Sequence, residues 1–62
     1  MRYIEGNLIR FMFGPRKGQK AVVIAVAAYN PAVDILTLQL PLGNGVTYAH
    51  SDSVELVGHF AI

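Results

Sequence analysis

The segment Gly14-Pro15-Arg16-Lys17-Gly18-Gln19-Lys20, followed by Ala21-Val22-Val23-Ile24-Ala25-Val26, constrains this chain more than any other stretch. Two glycines and a proline make its first half a turn. Val22, Val23, Ile24 and Val26 are β-branched and make its second half a strand, against the helical preference of the neighbouring alanines. The apolar run extends over nine residues to Tyr29 and stops at Asn30-Pro31. There the proline withholds an amide donor and turns its predecessor away from helix. A run without alternation reads as a central strand covered on both faces.

Four further strands are expected around it. Leu8-Ile9-Arg10-Phe11-Met12-Phe13 alternates in part, with Ile9, Phe11 and Phe13 on one face and Arg10 on the other. A Gly6-Asn7 turn signal precedes it. The stretch 34–40 alternates most cleanly, setting Leu36, Leu38 and Leu40 against Thr37 and Gln39. Pro41-Leu42-Gly43-Asn44-Gly45 ends in Asn-Gly, a strong hairpin signal with positive φ, and Val46–His50 is the return strand. Ser51-Asp52-Ser53 reads as a tight turn or a single helical turn before the last strand, Val54–Val57. Five short strands in one domain of residues 1–62 describe a small antiparallel barrel.

Size sharpens the reading. A domain of 62 residues leaves a large share of its surface in water and usually needs a staple or a partner. The chain has no cysteine, which excludes disulfides and thiolate metal sites. Ile9, Phe11, Phe13, Val23, Leu36, Leu38, Val54 and Leu56 are the expected core. Leu8, Met12, Ile24, Leu42, Val57, Phe60 and Ile62 then have no second interior to enter, so a homo-oligomer is expected, with the tail 58–62 taking part after a change of direction at Gly58. The longest apolar stretch is far short of the ~20 residues of a membrane-spanning helix, and the first residues do not read as a secretory signal. A cytoplasmic protein without a membrane role is expected.

Residues 14–26 resemble the KOW motif, the basic-Gly turn and apolar strand found in SH3-like barrels of ribosomal large-subunit proteins and transcription elongation factors. Asp52-Ser53-Val54-Glu55-Leu56-Val57 is similar to the turn and last strand that close many such barrels. The chain departs from the motif at Ala21, where the family usually carries a second glycine. The resemblance implies an all-β, SH3-like five-stranded small antiparallel barrel that binds RNA, DNA or a protein through the loops around the motif.

The candidate binding residues follow from charge and ring chemistry. Three of the five basic residues, Arg16, Lys17 and Lys20, sit in the turn, within a chain of formal net charge only +1. Such a cluster suits phosphates, with turn amides assisting, and Arg10 extends it along the preceding strand. Tyr29 and Tyr48 are the tyrosines expected to be exposed and available for stacking. The expected function is a non-catalytic module for nucleic acid or a protein partner. The alternative is a structural homo-oligomer whose basic loop only keeps a sheet edge soluble.

Chemistry beyond binding finds little footing. The turn lacks the spacing of a phosphate-binding P-loop. His50 and His59 with Asp52 do not make a zinc ligand set, and no cofactor is implied. An enzyme would need a site at the axis of an oligomer, as in the type II dihydrofolate reductases built of SH3-like barrels. Those carry Val-Gln-Ile-Tyr where this chain has Gly45-Val46-Thr47-Tyr48-Ala49, and only the valine lines up.

Overall fold

In the computed structural model, which describes residues 3–59, alternating side chains assemble one five-stranded antiparallel sheet. The strands are β1 (Asn7–Phe11), β2 (Lys20–Ala28), β3 (Asp34–Gln39), β4 (Val46–His50) and β5 (Val54–His59). Single 3-10 turns stand at Pro41–Gly43 and at Ser51–Ser53. The sheet order is β4-β3-β2-β1-β5. Each ladder is antiparallel, and β4 and β5 share none, so the sheet is open between its two edge strands.

The core forms where the period-two pattern holds. Ile9, Val23, Leu36 and Leu38 are fully enclosed, and Phe11, Ala21, Leu40 and Val54 complete the cluster. Burying each large apolar side chain contributes about 1.5–3 kcal/mol. The buried Ala21 pairs with Ile9 within the ladder, so the position where the motif usually has glycine is here ordinary strand packed against the core.

Several expectations are corrected. Phe13 lies beyond the end of β1 and is 64% exposed, because the strand stops at Phe11 and the alternation no longer governs it. Leu56 faces the core side opposite Ile9, yet it is 40% exposed because β5 is an edge strand with no described strand on its outer side. The central strand β2 is not covered on both faces. Its register shifts between Val23 and Ala25, and Ile24, Ala25, Ala27 and Ala28 are exposed. Gly58 does not turn the chain away but continues β5 opposite Leu8. Leu8 and Met12 are half-buried and Val57 is exposed. The side chain of Leu42 and residues Phe60 and Ile62 fall outside the description.

Backbone and side-chain bonds fasten the termini of the sheet. Gly6, at φ 93°, donates its amide to Val23 at 2.8 Å, which turns the lead-in segment onto β2. The Asp34 amide donates to Ser51 Oγ at 3.0 Å, and Ser53 Oγ donates to the His50 carbonyl at 2.8 Å. These bonds hold the 3-10 turn against the start of β3. No helix of the described residues is long and apolar enough to cross a membrane.

Candidate functional site

The basic segment is a pair of overlapping turns. The Lys17 amide donates to the Gly14 carbonyl at 3.1 Å, and the Gln19 amide donates to Arg16 at 2.9 Å. Pro15 presets the φ of the first turn, and Gly18, at φ +86°, takes the left-handed position of the second. At the base, the Gly18 amide donates to Phe11 and the Phe11 amide to Gln19, at 2.8 and 2.9 Å. The Met12 amide donates to the Ser53 carbonyl at 3.1 Å and moors the loop to the 3-10 turn before β5. The amides of Lys17, Gly18 and Gln19 are therefore committed to carbonyls. Contacts to an anion fall to the side chains instead.

That mooring brings the loop over β4 and opens a cleft of about 270 Å³. Phe13, Pro15 and Arg16 form its loop wall; Tyr48 and His50 form its β4 wall. Phe13 and Tyr48 are 64% and 69% exposed, so their rings are available rather than spent on the core. Tyr29 packs on His50 with ring centroids 5.3 Å apart and planes inclined by 51°, continuing the aromatic surface past the end of β4. The Arg16 guanidinium is exposed and held toward the loop by Gln19, its Nη1 donating to Oε1 at 3.3 Å. Among the described residues no carboxylate lines the cleft.

The expected site residues thus divide. Arg16 and Tyr48 meet in the cleft, and Tyr29 joins them through His50. Lys17 is exposed in the same loop. Lys20 and Arg10 lie elsewhere, paired across β2 and β1. Arg10 is engaged by Glu55, donating from Nε at 2.8 Å and from Nη2 at 2.5 Å to a single oxygen, Oε2. Phe13 and His50 were not among the expected binding residues. The signal for Phe13 was its place immediately before Gly14-Pro15, where a strand gives way to a turn. Nothing in the sequence marked His50, since its role comes from the neighbouring Tyr29 ring.

Among the described residues no group of three or more His, Asp or Glu side chains is placed to hold a metal ion. No protein-family model matches the chain, and no curated protein sequence matches it.

Proposed function

We propose that this chain is a non-catalytic binding module that takes single-stranded nucleic acid in the cleft between the basic loop and β4. We read its architecture as an SH3-like barrel of the KOW type, open along the β4–β5 seam. The strand order and the 3-10 turn between the last two strands support that reading.

The observation that carries the functional reading is the meeting of exposed rings with a cation in one cleft that no carboxylate of the described residues lines. Every base offers a π-face to Phe13 and Tyr48, and its phosphate offers a charge to Arg16 and Lys17. This is the pairing of stacking platform and basic groove by which single strands are held without reading sequence. A protein partner through the same cleft would have to be acidic and extended, and would not need the rings exposed. Duplex is disfavoured, because paired bases cannot reach the rings.

Anisotropy titration of a labelled oligothymidylate and a matched duplex tests the reading. The single strand should bind more tightly, and affinity should fall as salt rises. Tyr48→Ala should cost about 1–3 kcal/mol, roughly five- to 150-fold in affinity. Arg16→Ala should lower the salt slope by about one unit. Absence of single-strand binding at low salt, where phosphate contacts are strongest, defeats the proposal.

A further inference from the structure

We infer that the outer face of the β5–β1–β2 ladder docks a second copy of this chain about a two-fold axis running along β1. Residues opposite one another on antiparallel strands point to the same face of a sheet. The register therefore lays two rows across the face away from the core. One runs Gly58, Leu8, Val22 and Gln39; the next runs Glu55, Arg10 and Lys20. Beside the Leu8–Val22 pair lies a largely apolar groove of about 490 Å³, with Lys20 at its margin and Leu40 and Pro41 beyond.

Gly58 is the first reason for making a second copy the occupant. It lies in the interior of β5 outside the left-handed region, and a Cβ built there would sit 4.0 Å from Leu8 Cδ2, an ordinary contact. Neither backbone conformation nor room within the protomer requires glycine. Gly58 also stands beside the register shift that leaves Val57 unpaired with β1, and a position there without a side chain lets another chain come close. Rotation about β1 sets Val22 of one copy over the gap at Gly58 of the other and Leu8 over Leu8. Sheets packed this way stand about 10 Å apart.

Charge supplies the second reason. The Lys20 side chain makes no hydrogen bond or ion pair among the described residues. Arg10 gives both of its bonds to Glu55 Oε2, which leaves Oε1 with no bond from Arg10. The same rotation sets Lys20 of one copy over Glu55 of the other, and symmetry makes the contact twice. The third reason is β2 itself, which presents Val22 and Ile24 where a solvated strand would present polar side chains. Pairing two copies would also present two oligonucleotide clefts on one particle and raise avidity without new contacts to the ligand.

Sedimentation of the full chain over a rising concentration series should give a monomer–dimer equilibrium with dimer prevailing at high micromolar protein. At low protein concentration, where the parent is monomeric, Gly58→Leu should keep the parent's denaturation midpoint, and it should sediment as monomer throughout the series. The chain has no cysteine, so Leu8→Cys should cross-link to its mate with a short bismaleimide, which spans the gap between packed sheets that a disulfide cannot, whereas Thr37→Cys, further along the sheet, should not. If Gly58→Leu fails to fold, the cross-linking pair decides alone. A parent that stays monomeric, a Gly58→Leu variant that still dimerises, or equal cross-linking at positions 8 and 37 overturns the inference. So does a dimer lost on removing residues 60–62 but kept in Gly58→Leu, which would put the contact in the tail.

Discussion

The side-chain amide of Asn7 donates to Nδ1 of His59 at 3.0 Å and joins the start of the first strand to the end of the last. The orientation is set from the other side, because Asn7 Oδ1 accepts the Ile4 amide at 2.9 Å. The nitrogen must then face the imidazole, whose Nδ1 acts as acceptor and whose proton resides on Nε2. Asn7 is buried, so Asn7→Ala would strand the Ile4 amide as well as lose the link to His59. The expected cost is about 1–3 kcal/mol, read as a lower denaturant midpoint at constant m-value. His59→Ala breaks only one of the two bonds and should cost less.

Leu38 and Phe13 were both expected in the core, and the structure separates them. Leu38 is fully enclosed, and Leu38→Ala should cost about 2–5 kcal/mol. In a domain of marginal stability, that is enough to leave much of the chain unfolded at room temperature. Phe13 is exposed in the cleft, so Phe13→Ala should leave the melting temperature nearly unchanged and weaken oligonucleotide binding. A melting temperature that falls as far for Phe13→Ala as for Leu38→Ala would return Phe13 to the core.

Gly45 carries φ +93° while Asn44 keeps φ −77°, so the connection is not the two-residue Asn-Gly hairpin that the sequence suggested. Pro41 instead starts a 3-10 turn, and the Gly45 carbonyl closes the loop by accepting from the Leu40 amide at 2.9 Å and from Gln39 Nε2 at 3.0 Å. No atom of the described residues lies within 4 Å of a Cβ built at Gly45. The backbone penalty for Gly45→Val is then that of a branched residue in the left-handed region, about 1–2 kcal/mol. Gly45→Asn, which tolerates that region better, should recover part of the loss in a denaturant series.

Tyr3 predicts an alkaline limit. Its hydroxyl donates to the Val54 carbonyl at 3.3 Å. Burial, and secondarily the Glu55 carboxylate, raise its pKa above the ordinary 10.0. The folded state thus holds the neutral phenol more firmly than the unfolded chain does. This contribution is whole below about pH 10 and is lost as pH climbs through the raised folded value. Unfolding midpoints followed from about pH 8 to about pH 11.5 should fall at the alkaline end. In Tyr3→Phe the fall should be smaller. Parallel curves for the two proteins would remove Tyr3 as the cause.

The order of elements was legible because it rests on local rules. Period-two runs at Leu36-Thr37-Leu38 and Ile9-Arg10-Phe11 can bury only one face, and Gly14-Pro15 and Pro41 can only interrupt a ladder. Even the single turn at Ser51–Ser53 follows from short side chains that bond their own backbone. The cleft was half legible. Arg16 and Tyr48 announce themselves as a cation in a turn and a ring on a strand, but their meeting depends on a bond between Met12 and Ser53, far apart in the chain.

The sequence by itself determined that this protein is all-β, where its turns fall, and that Ile9, Phe11, Val23, Leu36, Leu38 and Val54 form the heart of the core. Those outcomes depend on neighbours one to four residues away. Tertiary structure decided that Phe13 faces a cleft, that Arg10 is held by Glu55 while Lys20 is left open, and that β2 shows an apolar outer face. Each of these depends on strand register and on where the sheet stops. A one-residue shift in pairing reverses which face every side chain occupies, and no local preference sets that choice.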